Sequence, residues 1–418
     1  MFRSLSRRRR SRQATCPASI QYLESRRLLA AAVTEQLQPI DTSLSTSPEI
    51  IPAVIPTASG LVSVNISRAG DVSIVGDSAG NFVAIQFSKA GLTVSGWGTG
   101  TLIRTSGQKT SDSVVIPLNN SSGIRSLSVS LGAGDDTLRL QFKSDLTIAR
   151  DLNLNLGAGA DFIDIGVEQS SLRINQDLLL DLAAGDDRAV LNTYSTSTLI
   201  TGRDLSVRGG AGADTLLVHA HNAVAADQLS SPALFRQLSN TTTSALSQPV
   251  RAGRDLLVDL GAGDDAATLL AAEAGRDGNI SMGAGQDVLT ASNLRSARSL
   301  RFTDAEKAAL QNITAVIQLA VRGTAAADTL DLERISATRI DVDLAAGNDR
   351  LSLGENLFVR TFATFEGGLG SNRASAGTPR FGFFFRRTTL DLTSSDTLEL
   401  LAATLVASPQ LSFEVMIA

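Results

Sequence analysis

From Leu127 onward, apolar and polar residues alternate in short runs that break at one recurring glycine turn. The turns are Gly132-Ala133-Gly134-Asp135-Asp136, Gly157-Ala158-Gly159-Ala160-Asp161, Ala183-Ala184-Gly185-Asp186-Asp187, Gly210-Ala211-Gly212-Ala213-Asp214, Gly261-Ala262-Gly263-Asp264-Asp265, Gly283-Ala284-Gly285-Gln286-Asp287 and Ala345-Ala346-Gly347-Asn348-Asp349. Their closing aspartates lie 25, 26, 27, 51, 22 and 62 residues apart. The 51 reads as about two periods, and the 62 contains a degraded copy ending at Asp328, where Thr324-Ala325-Ala326-Ala327 has lost the glycines. Seven residues before each closing Asp stands Val129, Leu154, Leu180, Val207, Val258, Ile280 or Val342, with Val321 in the degraded copy. Five before stand Leu131, Leu156, Leu182, Leu260, Met282 and Leu344, with Gly209 and Gly323 as exceptions. Four after come Leu140, Ile165, Leu191, Val218, Leu269, Leu332 and Leu353, with Ala291 the weakest member.

Period-2 alternation on both sides of a glycine break predicts strand, turn, strand, with one face buried. A unit of this length cannot bury its apolar face alone, so a fixed register over many copies points to a stacked array. At ~3.3 Å per strand residue, ~25 residues trace a closed coil of three short strands and their corners. Coils stacked ~4.8 Å apart place the Val and Leu positions above one another as internal ladders. The expected fold is therefore all-β: a parallel β-solenoid, or β-helix, with coils of about 25 residues. The competing architecture is a series of antiparallel hairpins closing a sandwich, since glycine-rich turns also serve hairpins. Hairpins do not require one register across so many copies.

Two segments break the pattern and predict short helical insertions. Ser231-Pro232-Ala233-Leu234-Phe235-Arg236-Gln237-Leu238 combines a cap residue, a proline at the first helical position and a helical run. Thr303-Asp304-Ala305-Glu306 matches a capping box leading into Ala308-Ala309-Leu310. The chain divides into a basic segment (1–33), a Ser/Thr/Pro-containing linker (34–60), N-terminal β coils or a cap (61–126), the glycine-turn solenoid (127–355) and a C-terminal β cap (356–418). Caps are expected because an open solenoid end is an exposed sheet edge.

Composition narrows the chemistry. Aromatics make up 4% of the 418 residues and apolar residues 43%, so the core must be aliphatic. One cysteine, Cys16, rules out a disulfide framework, and two histidines leave few ways to build a histidine metal centre. Eight arginines against Glu24 give residues 1–27 a charge of +7, and the overall −5 leaves −12 on the remaining 391. An acidic body argues against nucleic acid as its partner. No run approaches the roughly 18 apolar residues of a membrane-spanning helix, so no transmembrane segment is expected.

The run Leu23-Glu24-Ser25-Arg26-Arg27-Leu28-Leu29, after the arginine cluster, resembles the LEPR-x-LL segment at the start of many large bacterial secreted or surface proteins, with Ser25 where that group usually has proline. The resemblance implies an export or surface setting. The corner itself resembles the hemolysin-type (RTX) nonapeptide GGxGxDxUx, which Gly209 to Leu216 matches fully, although here it occurs once per coil and not in tandem. That resemblance implies Ca²⁺ between coils, with Asp135, Asp136, Asp161, Asp186, Asp187, Asp214, Asp264, Asp265, Asp287 and Asp349 as candidate ligands. Carboxylates stacked ~4.8 Å apart repel by roughly 3 kcal/mol per pair at an effective dielectric near 20, and a divalent ion held by hard oxygens would reverse the sign. The alternative is that each Asp folds onto its own turn and faces water.

Arg150-Asp151, Arg203-Asp204, Arg254-Asp255 and Arg276-Asp277 recur ten and eleven residues before a closing Asp and predict a solvated ion-pair column on another edge. His219-Ala220-His221 could put two imidazoles on one strand face, but with no nearby partner to complete a metal shell they are expected to face solvent. No nucleotide-binding, metalloprotease or serine-hydrolase motif occurs. The acids recur in every copy, whereas a catalytic site would occur once. The expected function is therefore a non-enzymatic, extracellular or cell-surface structural or adhesive element whose partners are surface polysaccharide or other envelope or matrix proteins. The alternative is a parallel β-helix polysaccharide lyase or hydrolase, with acids and bases in a groove along one face.

Overall fold

The computed structural model describes residues 60–376, apart from 89–90, 97–99, 107–108, 118–122, 168–169, 194–196, 219–249 and 355, together with the backbone of Arg387–Leu392, Thr397–Leu400 and Phe413–Ile417. All of these belong to the unit Ile55–Ala418. Each repeat supplies three strands, as in Leu152–Ala158, Phe162–Val167 and Ser171–Ile174. Every one of them pairs in parallel with its counterpart in the coil before and the coil after: Leu154 lies opposite Val129 and Leu180, Ile165 opposite Leu140 and Leu191, and Leu172 opposite Leu146 and Leu199. Three parallel ladders wound around one axis make a β-solenoid, and the hairpin sandwich is excluded for the repeat region.

The alternation in the sequence produces this stack. In the coil from Leu127 to Ile148, the residues Leu127, Val129, Leu131, Leu138, Leu140, Phe142, Leu146 and Ile148 all point inward and are buried. Because the coils are in register, each such position stands above its homologue, so the core is one continuous aliphatic column along the axis. Aromatic packing is confined to places such as Phe87 on Phe142, stacked 4.8 Å apart near the N-terminal end.

Residues 61–126 form both an initial coil and a cap. Asp71–Val75 and Phe82–Ser88 join the first and second ladders in parallel. Leu61–Ile66 and Gly91–Gly96 fold back antiparallel on them, so a hairpin edge ends the stack. At the other end the ladders run on past 355: Phe358–Glu366 pairs with Thr329–Asp343, then with Arg387–Leu392, which pairs with Phe413–Ile417.

Two expectations need correction. The 51-residue spacing is a single coil, because Thr215–Val218 pairs directly with Ala266–Leu270, and residues 219–249 are an insertion between the second and third faces. The expected helix at Ser231–Leu238 lies inside that insertion, outside the described residues, as does His219-Ala220-His221. Thr303-Asp304-Ala305-Glu306 is a coil corner and not a helix cap: Ser299–Thr303 enters it and the 16-residue strand Lys307–Arg322 leaves it. Ala308 and Leu310 occupy the buried positions two and four after Glu306, and pairing with both neighbouring coils overrides local helix propensity.

The shorter period of the late coils has a local cause. There the second corner shrinks to one left-handed residue, Ala271, Asn293, Asn312, Arg334 or Asn356, with φ of 55°, 57°, 53°, 53° and 60°. Asparagine tolerates this conformation better than most residues. A related strain sits at Ala183, φ 76°, in a column otherwise held by Gly157 and Gly210. Ala183→Gly is expected to raise stability by about 0.5–1 kcal/mol, the left-handed cost of alanine less the extra chain entropy of glycine. Urea unfolding measures this, and a loss of stability would show that the alanine methyl is needed there.

Candidate functional site

The acids singled out by the repeat all lie at the corner between the first and second faces. The chain turns there through two glycines with positive φ, for example Gly157 (109°) and Gly159 (143°), before the closing Asp161. The corners pack backbone on backbone. Gly159 donates to Ala184 O at 2.9 Å, Gly185 to Ala211 O at 2.8 Å, Gly212 to Ala262 O at 2.8 Å and Gly263 to Ala284 O at 2.9 Å.

Each closing aspartate is buried, and all but Asp328 reach back to the preceding coil. The amide of Asn81 donates to Asp136 Oδ1 (2.6 Å), that of Asp136 to Asp161 (2.7 Å), Asp161 to Asp187 (2.8 Å), Asp187 to Asp214 (3.0 Å), Asp214 to Asp265 (2.7 Å) and Asp265 to Asp287 (2.8 Å). Beyond the shortened corner at Glu306 the same bond resumes from Asp328 to Asp349 (2.9 Å) and from Asp349 to Asn372 Oδ1 (2.9 Å). The closing side chain therefore faces a neighbouring coil, not water. Asp328 is the exception: its carboxylate folds onto its own turn and accepts from the Thr324 amide and hydroxyl, which brace the copy that lost its glycines.

The first acid of each doubled pair does the opposite. Asp135 accepts from the Ala160 amide (2.9 Å), Asp186 from Ala213 (2.8 Å) and Asp264 from Gln286 (2.9 Å), all in the following coil and all exposed. Asn348 does the same for Ser371 (3.0 Å). This exposed column runs Asp135, Ala160, Asp186, Ala213, Asp264, Gln286. Acids thus recur every second coil, about 10 Å apart, where screening is effective.

The two register exceptions now have a cause. A Cβ on Gly209 would lie 2.4 Å from Asp214 Oδ2, and one on Gly323 would lie 2.1 Å from Asp328 Oδ2. In these copies the carboxylate occupies the space a leucine would need.

Burial governs the electrostatics of the closing column. It pushes the carboxyls of Asp136, Asp187 and Asp214 up to about 7 and that of Asp265 to about 6, with neighbouring acids adding to the effect at each. Asp161 and Asp287 are raised for the same reason. The second oxygen, Oδ2, of Asp136, Asp161, Asp187, Asp214, Asp265 and Asp287 is buried without a hydrogen-bond partner. As cation ligands these residues fit poorly: one oxygen of each already holds an amide, the exposed acids are separated by Ala or Gln, and no three His, Cys, Asp or Glu side chains converge on one point among the described residues.

The Arg-Asp pairs form the expected column on the corner between the third and first faces. Three of the four expected arginines reach back one coil, Arg203 to Asp177 (3.5 Å), Arg254 to Asp204 and Arg276 to Asp255; Arg125 to Asp71 (3.1 Å) and Arg298 to Asp277 (3.6 Å) extend the column, and Arg150 forms no ion pair among the described residues. Their aspartates also accept amides from the next coil, as Asp177 does from Asp204 (2.9 Å). Hydrogen bonding from Arg254 holds the Asp204 carboxyl below its usual range. These ion pairs are half-exposed, so each contributes at most about 1 kcal/mol.

One feature escaped the sequence. On the outer first face, a groove of about 460 Å³ gathers Arg301, Arg322 and Arg339 with Asp341, Asp343 and Glu366. Arg339 is bonded to Asp341 and lies 4.9 Å over the Phe362 ring. These residues come from four strands, Ser299–Thr303, Lys307–Arg322, Thr329–Asp343 and Phe358–Glu366, and share no motif.

Fold and corner together define the class of the molecule as a parallel β-solenoid clasped by aspartates. Comparison with protein-family models, with curated proteins and with solved structures found no match.

Proposed function

We propose that the protein is a non-enzymatic, secreted or cell-surface β-solenoid with a structural or adhesive role, presenting its outer faces to surface polysaccharide or to other envelope or matrix proteins. One observation carries this reading: the acids recurring from copy to copy are used to bind coil to coil, which leaves the outer faces as the surface that differs between coils. The LEPR-x-LL-like run at Leu23–Leu29 supports the export setting. No helix among the described residues is long and apolar enough to cross a membrane. Calcium, which the nonapeptide resemblance implies, is not needed for the amide-to-carboxyl clasp, and the reading does not depend on it.

The groove of Arg301, Arg322, Arg339, Asp341, Asp343 and Glu366 supports a second reading, a carbohydrate-active β-helix enzyme, because it places acids and bases together on one face. Incubation of the full chain with acidic and with neutral polysaccharides separates the two. The structural reading expects co-sedimentation without shortening of the polymer. Depolymerisation that Asp343→Asn abolishes would replace it with the enzymatic one.

A further inference from the structure

At two positions of the closing column, before Asp136 and after Asp349, the chain places asparagine where most copies carry aspartate. Asn372 accepts the Asp349 amide through Oδ1, as the aspartates accept theirs, and its Nδ2 donates to Gly367 O at 3.0 Å. At the N-terminal start of the column Asn81 Nδ2 donates to Ala79 O at 2.7 Å and to Leu131 O at 3.4 Å. The second atom of the side chain therefore sits among backbone carbonyls in a site that accommodates a donor. An ionised carboxylate has no donor to offer there, whereas a protonated one does.

We infer that the buried column of Asp136, Asp161, Asp187, Asp214, Asp265 and Asp287 is a proton-binding site: its second oxygens take up protons on folding, so that mild acid tightens the solenoid and mild alkali loosens it. The surroundings favour uptake. The charged groups acting on the column are Asp77 beside Asp136, Asp135 beside Asp161, Asp186 beside Asp187 and Asp214, Asp264 beside Asp265 and Asp287, and Asp304 with Glu306 beside Asp287; the column members also repel one another. All of these are acids, and the six orphaned oxygens are buried. The raised carboxyls agree with this geometry.

The sign follows from linkage. The folded carboxyls of Asp136, Asp187 and Asp214, raised to about 7, and of Asp265, raised to about 6, hold protons that unfolded aspartates, near 3.8, have released, and those of Asp161 and Asp287 are raised in the same direction. Stability from this source is complete below about pH 4 and is lost as pH rises through the folded values.

The test is thermal unfolding of the full chain in chelator at pH 5 and pH 8, followed by circular dichroism, for the natural chain and for Asp187→Asn with Asp214→Asn. The natural chain is expected to melt about 10 °C higher at pH 5. The double variant, carrying amides in place of two of the acids, is expected to melt higher than the natural chain at pH 8 and to close at least a third of the gap. If it fails to fold, Asp287→Asn at the end of the column gives the same comparison. Infrared spectra add a separate readout, a carboxylic-acid band in the folded chain at pH 6 that weakens in the variant. A midpoint at pH 8 equal to or above that at pH 5 overturns the inference. So does calcium restoring the pH 5 midpoint at pH 8, which would make the column a cation site.

Discussion

Gly263→Val is expected to prevent the array from folding, or to cost more than about 4 kcal/mol if it folds at all. Gly263 has φ +146°, and a Cβ there would lie 1.9 Å from Gly212 O and 2.4 Å from Gly212 C. The obstructing atoms are backbone, so no rotamer change relieves the clash. They are also fixed in place, since Gly263 donates to Ala284 O and Gly212 to Ala262 O. One added side chain must therefore separate three coils or unwind the corner. Gly166→Ala is the control: its Cβ meets nothing closer than 3.8 Å, and the change is expected to stay within about 0.5 kcal/mol. Soluble yield and urea unfolding of the two variants measure the contrast. Similar behaviour in both would mean that the corners are not packed backbone on backbone.

Asp187→Ala carries the next largest effect. It removes the acceptor of the Asp161 amide, leaving a buried N–H without a partner, at a cost of about 1–3 kcal/mol at pH 5. At pH 8 the cost is expected to be smaller, because there the natural side chain is a buried, largely ionised acid repelled by Asp161 and Asp186. Asp187→Asn keeps the acceptor and is expected to show little loss at pH 5 and a gain over the natural chain at pH 8. Equilibrium unfolding at the two pH values reads all three. Equal losses for Ala and Asn would show that charge, and not the amide bond, is what the position supplies.

The solenoid could be read from residues such as Val129, Leu154, Leu180 and Val207, because an inward position that repeats at one distance from a turn must stack on itself. The ion-pair column was legible for the same reason. What the aspartates do was not. A carboxylate one residue past a glycine turn can face its own turn, water, an ion or a neighbouring coil, and the choice depends on the separation of coils that the sequence does not contain. Opposite roles for Asp135 and Asp136 are likewise invisible in a doubled acid. The segment Thr303–Leu310 misled because its local signals favour a helix, while its strand state is imposed by pairing with residues about 20 positions away on either side. The spacing of 51 concealed an insertion because its length is close to a whole coil. The groove around Arg322 draws on four strands, and no local pattern connects them.

The most direct test of the aspartate clasp is amide hydrogen exchange at Asp161, measured on the full chain in chelator. With its amide bound to the buried Asp187 carboxylate, Asp161 is expected to exchange slowly without any added ion, and to lose that protection in Asp187→Ala while the amide of Leu154, in the strand before the corner, stays protected. Fast exchange at Asp161 in chelator, slowed only when calcium is added, would contradict the account and make the corners ion sites.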